Sequence, residues 1–170
     1  MEIRPAVIED AEQLARLHIR AWQAAYAGIV PAAYLAALDL APRVATWRQR
    51  ITQSGPGGMT LVAVDDGVIA GFTSAGPYRG DEPEPGVGEV YAIYADPDRL
   101  STGVGRALMA AALDHLASLG AAEARLWVLS ENARARRFYE LAGFAHDGAS
   151  TTADFDGVAV PEIRYARRMS

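Results

Sequence analysis

The sequence predicts an α/β fold in which a mixed β-sheet is covered by helices. Three observations carry this reading. Helical apolar spacing dominates residues 14–51, a hairpin signature surrounds residues 65–67, and a strand-helix-strand-helix-strand order follows residue 90. The 170-residue length suits one domain, able to bury roughly 70% of the surface its unfolded form exposes. With 51% hydrophobic and 22% charged residues, the chain has the composition of a protein that packs a core.

Taken in order, residues 3–6 read as a short first strand. Leu14, Leu17 and Ala21 then recur at helical spacing behind Glu9 and Asp10, whose charges favour a helix N-terminus. Gly28 and Pro31 interrupt that helix, and residues 32–38 and 44–51 form two shorter ones, the second opened by Pro42. Residues 54–58, rich in glycine, are a loop. Residues 61–64 and 68–72 flank Asp65-Asp66-Gly67 and spell a β-hairpin. Residues 78–88 hold Asp81, Glu82, Glu84 and two prolines, which makes them a solvated loop before an apolar strand over 90–95 that stops at Asp96-Pro97. Val104, Leu108, Ala111, Ala112, His115 and Leu116 keep helical spacing until Gly120, and residues 125–129 form the next strand, a right-handed crossover unit. A helix over 133–142 stops at Gly143, and strands over 144–149 and 160–168 finish the chain, separated by a polar turn region.

Composition excludes several chemistries. There is no cysteine and no lysine, so all 16 basic residues are arginines. A thiol nucleophile, a thiolate metal site, a lysine Schiff base and a P-loop lysine are therefore impossible. The net charge of −5 gives no field for nucleic acid or anionic lipid, and no apolar run approaches the roughly 20 residues of a membrane span. The start Met1-Glu2-Ile3-Arg4-Pro5 lacks a signal-peptide layout, so the expected address is cytoplasmic. His18, His115 and His146 show no metal-ligand spacing, and no metal is expected.

The chemistry-bearing segment is Leu100-Ser101-Thr102-Gly103-Val104-Gly105-Arg106, between a strand and a helix. Small residues there free successive backbone N–H groups at the positive end of the helix, where a diphosphate fits, and Arg106 on the first turn adds a charged contact or faces water. A dinucleotide fingerprint would need a glycine where the chain has Leu108, which argues against a Rossmann site.

Tyr91-Ala92-Ile93-Tyr94-Ala95-Asp96-Pro97, followed by residues 100–105, resembles the acyl-CoA motif of the GNAT acetyltransferase superfamily. Asn132, Ala135, Tyr139, Gly143 and Phe144 are similar to its downstream pattern in order and spacing. Ile3-Arg4-Pro5-Ala6 and Trp22 to Pro31 extend the likeness over essentially the whole chain. Leu100 stands where the family often has Gln or Arg, and Ser101 where it often has Gly, which removes a side-chain phosphate contact and some backbone freedom. The resemblance implies a single domain over residues 1–170, with a central mixed, mostly antiparallel twisted sheet of about six to seven strands and about four to five flanking helices.

It also implies direct acyl transfer from acetyl-CoA to an amine, both bound together, with Ile93, Tyr94, Ala95, residues 100–106 and Asn132 on the cofactor. From residue type alone, Asn132 equally suits a helix cap. Glu89 falls where some family members carry a general base, and its other reading is an exposed strand-end carboxylate. Tyr139 matches the tyrosine that protonates the leaving thiolate, and its other reading is an aromatic packed between helix and sheet. Trp22, Tyr26, Tyr34, Tyr78 and the Asp81, Glu82, Glu84 group are candidates for the acceptor pocket, since aromatic faces and carboxylates both favour an ammonium. The expected acceptor is a small-molecule primary amine, with a peptide or protein N-terminal amine second and a non-catalytic acyl-CoA-binding module third. Many family members pair as homodimers, and the final strands offer a surface for pairing.

Overall fold

In a computed structural model describing residues 1–170, seven strands form one sheet: β1 (Glu2–Pro5), β2 (Met59–Asp65), β3 (Val68–Pro77), β4 (Val87–Ala95), β5 (Glu123–Leu129), β6 (Ala145–Phe155) and β7 (Val158–Arg168). Their order is β1-β2-β3-β4-β5-β7-β6, and every neighbouring pair is antiparallel except β4 and β5. The β2–β3 hairpin closes where the sequence predicts it. Asp66 and Gly67 take φ of 51° and 76°, the left-handed pair that lets a two-residue turn follow the twist of its strands.

Five helices cover the sheet: α1 (Ala11–Ala25), α2 (Ala32–Ala36), α3 (Leu40–Thr52), α4 (Val104–Ser118) and α5 (Ala133–Leu141). Alternation along β2 sends Val62 to one face and Ala63 to the other. Val62 and Phe72 pack with Leu14, Ala15, Ala21 and Trp47 of α1 and α3. Ala63 and Ala70 pack against Val104 and Leu108 of α4, whose Met109, Leu113 and Leu116 continue the core over Val90 and Leu126. No helix is long and apolar enough to cross a membrane.

Several boundaries differ from the sequence reading. Helix α3 starts at Leu40, because Pro42 is its third residue, where no intrahelical N–H is needed. Helix α2 ends at Ala36, two residues early. Strand β4 begins at Val87 rather than at residue 90, since Gly88 pairs with both Pro77 and Ala124. The last two strands form one long hairpin turning at Asp156 and Gly157, with φ of 51° and 83°. Ser150, Thr151, Thr152 and Asp154 leave β6 with almost no apolar alternation to read, and most of the strand is solvent-exposed.

Gly71 fixes the distance between α4 and the sheet. A Cβ at this position would lie 2.8 Å from the Tyr94 carbonyl oxygen and 2.9 Å from the Val104 and Leu108 side chains. Gly71→Ala is expected to cost about 1–3 kcal/mol and to lower the thermal midpoint by roughly 3–10 °C. An unchanged melting curve would show that the helix moves away freely.

Candidate functional site

Strands β4 and β5 are paired only at Val87–Glu89 with Glu123–Arg125; beyond Glu89 they separate. Asp96 donates its N–H to the Ala70 carbonyl (2.8 Å), so by alternation Tyr94 and Ala92 also turn their backbone groups toward β3. Ile93 and Ala95 therefore turn theirs toward the open fork, where no strand pairs with them. Tyr94 does not share this role: its backbone is bound to β3, and its side chain lies on the α1 face. A β-bulge at Tyr91, between the Ala75–Val90 and Ser74–Ala92 pairs, disturbs β4 next to the fork.

The N-terminus of α4 lies just past the end of β4. Ala107 is the first residue whose N–H bonds into the helix, to Gly103 (3.0 Å). The N–H groups of Ser101, Thr102, Gly103, Val104, Gly105 and Arg106 make no hydrogen bond within the protein. Gly103 has φ of 95° with open space where a Cβ would be. Ser101 adopts φ of 63°, which accounts for glycine at this position in the related pattern. The loop is fixed from outside: Arg20 forks onto Asp96 and Asp98, Arg99 pairs with Asp65, and the Thr102 hydroxyl donates to the Arg99 carbonyl (2.6 Å). Six fixed donors at the positive end of a helix form an anion cradle.

Arg106 is exposed without an acidic partner, and Arg134 of α5 reaches the Ser101 hydroxyl (3.4 Å). Arg134 is not among the residues that the sequence motifs single out, although its place two residues after Asn132 was the available signal. Leu100 is 40% exposed beside the cradle and supplies no polar side chain. The Asn132 carboxamide accepts from the Ala135 N–H (3.2 Å), which makes it the cap of α5. A diphosphate thus fits backbone donors and two guanidinium groups, and an extended arm fits the free edge of β4.

Glu89 is not an exposed strand end. It is 4% exposed and accepts from the Arg79 N–H (2.9 Å) and guanidinium (3.4 Å), while that guanidinium lies over the Tyr91 ring. A second carboxylate, absent from the sequence-predicted site, shares its face. Glu89 is in register with Arg125; Arg125, Trp127 and Leu129 alternate onto one face of β5; and Glu162 lies opposite Leu129 on β7. Glu162 is half-buried with no ion pair, and burial together with the Glu89 charge raises its carboxyl above the usual range. Only the register of strands far apart in sequence brings these two acids together.

Tyr139 of α5 packs against Phe138, Phe144 and Tyr165, and its hydroxyl makes no hydrogen bond. Burial, with a smaller contribution from Tyr94, pushes its pKa up, so it stays a protonated donor at neutral pH. On the opposite side of the fork the Tyr26 and Tyr94 hydroxyls are hydrogen-bonded to each other (2.6 Å), and burial raises both. Trp22 stands beside Tyr26, Tyr34 and Phe155, so three of the predicted acceptor-pocket aromatics cluster.

Tyr78 does not join them. Its ring faces the Arg125 guanidinium (4.7 Å) and its hydroxyl accepts from Arg164 (2.9 Å), so the π-face predicted to meet an ammonium is already occupied by a cation. Glu84 is bound to Arg125, and Asp81 and Glu82 are exposed loop residues.

Residues 12–144 match the Acetyltransferase (GNAT) family. The chain is 32% identical over 130 residues to the uncharacterized N-acetyltransferase YuaI of Bacillus subtilis, covering 76% of this chain and 72% of the relative. It is 41% identical over 76 residues to a mycothiol acetyltransferase of Kocuria rhizophila, covering 45% of this chain and only 25% of that longer protein. The structure of PaiA N-acetyltransferase from Thermoplasma acidophilum in complex with coenzyme A superposes with a TM-score of 0.75 at 23% identity, over 99% of this chain and 98% of that one. YncA of Salmonella typhimurium, determined with its cofactor acetyl-CoA, gives 0.74 at 21% identity over 100% and 94%. Likeness at those identities shows a shared fold. Joined to a sequence match across most of the chain, and to a fork and cradle built from the residues that carry the motif, it leads to one conclusion: this protein belongs to the GNAT family and is an acyltransferase.

Proposed function

We propose that the protein is an acetyl-CoA-dependent N-acetyltransferase that acts on a primary amine of a small molecule by direct attack in a ternary complex. The observation that carries this is the run of six unpaired N–H groups, Ser101 to Arg106, at the mouth of the β4–β5 fork. With Arg106 and Arg134 these groups hold the diphosphate of acetyl-CoA, and the Ile93 and Ala95 edge takes the pantetheine arm. Bound acetyl-CoA supplies an activated carbonyl and a thiolate leaving group. The absence of cysteine and lysine is compatible with transfer that needs no acyl-enzyme.

An alkylamine has a pKa of about 10, so it arrives as an ammonium and must lose a proton before it attacks. Glu89, held by Arg79 and facing the acceptor side, takes that proton, directly or through a water. A free β4 N–H meets the oxyanion as it forms. Tyr139 donates to the departing sulfur; because its pKa is raised, it acts by hydrogen bonding as charge develops and transfers its proton late. A small acceptor is favoured because α2 packs against the β6–β7 hairpin through Leu35, Phe155 and Val160, narrowing the acceptor end around Trp22 and Tyr26.

Release of free CoA thiol with a panel of small amines and short peptides tests this. Amine-dependent release is expected with small amines. Release with peptides alone points to an N-terminal acceptor, and tight acetyl-CoA binding with no release by any acceptor leaves a binding module. Tyr139→Phe is expected to lower kcat about 10²-fold or more with the acetyl-CoA affinity retained. Full turnover by this variant, with chemistry limiting, would leave Tyr139 a packing residue.

A further inference from the structure

Glu162 is a carboxylate without a counter-ion. It is half-buried on β7, it accepts no hydrogen bond, and no arginine bridges to it. The cations that share its face of the sheet are committed elsewhere. Arg164, two residues further along β7, donates to Asp147 (2.6 Å) and to the Tyr78 hydroxyl (2.9 Å). Arg125 of β5 is held by Glu84 (3.0 Å) and Glu123, and Arg79 by Glu89 (3.4 Å). A carboxylate that loses water on folding and gains neither a cation nor a donor is costly to keep.

Strand register fixes where that charge stands. Glu89 is level with Arg125, and Glu162 is level with Leu129 on the same strand, so their backbones are offset by about 13 Å along β5. Both side chains point to one face, and they close part of that span: after burial, the Glu89 charge is the cause that raises the Glu162 carboxyl. The Glu162 charge is in turn one of the causes, again after burial, that raise the Tyr26 and Tyr94 hydroxyls, and Tyr139 acts on Tyr26 in the same way. The proposed base, the proposed acid and Glu162 thus border one space. Its wall beside Glu162 is apolar: Leu129 opposite and Val160 two residues earlier pack together against Trp22, Tyr26 and Tyr34.

An acceptor with one ammonium would answer one of these two carboxylates and leave the other bare. An acceptor with a second ammonium at the far end of a methylene chain answers both, and its chain meets the apolar wall. We propose that Glu162 selects the acceptor by holding a second ammonium while the first gives its proton to Glu89, so that the preferred substrates are α,ω-diamines. This selectivity rests on the acetyl-transfer reading above, whereas the binding of a diamine by Glu162 does not.

Two measurements separate these. Glu162→Gln keeps the shape of the side chain and removes repulsion from Glu89 instead of breaking a pair, so the fold should tolerate it. In thiol-release assays, kcat/KM is compared for an alkylamine, an amino alcohol and an α,ω-diamine of equal chain length. The wild type is expected to prefer the diamine to both by at least tenfold, well above the twofold that two equivalent nitrogens give, with the difference in KM. Glu162→Gln is expected to bring that ratio to about the statistical twofold, and Glu162→Asp to keep part of it. Because the ratio is taken within each protein, a loss of folded enzyme does not move it. A wild-type ratio no larger than twofold, or a preference that survives Glu162→Gln, overturns the assignment while leaving acetyl transfer intact. A fall in kcat shared by all three acceptors also overturns it and makes Glu162 the base. The second measurement needs no turnover: calorimetry of the diamine with the CoA-bound protein is expected to show binding at least tenfold weaker in Glu162→Gln. Equal binding by both proteins, or none by the wild type, overturns the contact. If the diamine binds through Glu162 but no acceptor releases CoA thiol, the acetyl-transfer reading fails and the diamine contact stands.

Discussion

Glu89→Gln is expected to lower turnover at neutral pH by about 10²–10⁴-fold while leaving acetyl-CoA affinity unchanged. The magnitude follows from what the carboxylate is asked to do. Near pH 7 only about one amine in a thousand is deprotonated when its pKa is about 10, and a nearby base avoids that cost by removing the proton in place. The carboxamide of the variant would still accept from the Arg79 N–H, so the strand and its loop should be preserved and the loss read as chemistry. As pH approaches the amine's own pKa the requirement fades, and the variant's rate should climb toward that of the wild type. Thiol release followed from about pH 6 to pH 10 checks this, and superimposable profiles would remove Glu89 from the mechanism. Glu162→Gln is the necessary companion, because Glu162 faces the same side with no ion pair and a raised carboxyl pKa. A loss confined to that variant would move the base to β7.

What the sequence made legible follows from how local each signal is. The β2–β3 turn was readable because Asp66 and Gly67 are two adjacent residues whose types favour positive φ. The cradle was readable because Gly103 and Gly105 follow a strand and open a helix within a few positions, and its N–H groups are free whatever the side chains. Ser101 in place of glycine costs backbone strain of the order of 1 kcal/mol, yet it adopts the left-handed conformation and keeps the loop's path. Other features depended on partners far along the chain. Glu162 joins Glu89 only through the registers of β4 with β5 and of β5 with β7. Tyr78 looked like a free aromatic until Arg125 and Arg164 closed on it from strands late in the chain. Tyr94 fell inside the cofactor motif by sequence, but strand alternation assigns its backbone to β3 and its side chain to the acceptor side.

Stability is expected to fall steeply between pH 6.5 and pH 4.5 because of His18, a residue that takes no part in the proposed proton transfers. Its ring is 5% exposed and enclosed by Trp22, Trp47, Phe72 and Tyr94. Burial first, then the charges of Arg43 and Arg50, hold its pKa down at about 3 instead of 6.5. The native state therefore keeps His18 neutral at a pH where the unfolded chain binds a proton, so acid favours unfolding. The stabilising contribution is complete above pH 6.5 and declines as pH falls toward 3, by up to about 1.4 kcal/mol per pH unit within that window. From pH 6.5 to pH 4.5 the group alone should remove about 2 kcal/mol, a large part of a typical domain's margin. Ion-paired carboxylates such as Asp10 are held below their usual pKa by Arg4 and the Val7 N–H despite burial, and they lose stability at lower pH, so a subtraction is needed. Urea unfolding of the wild type and of His18→Gln at the two pH values supplies it: the variant should lose about 2 kcal/mol less than the wild type. Equal losses in both proteins would mean that the imidazole gains a proton in the folded state, and that the aromatic enclosure between α1 and α3 opens to water more readily than its packing implies.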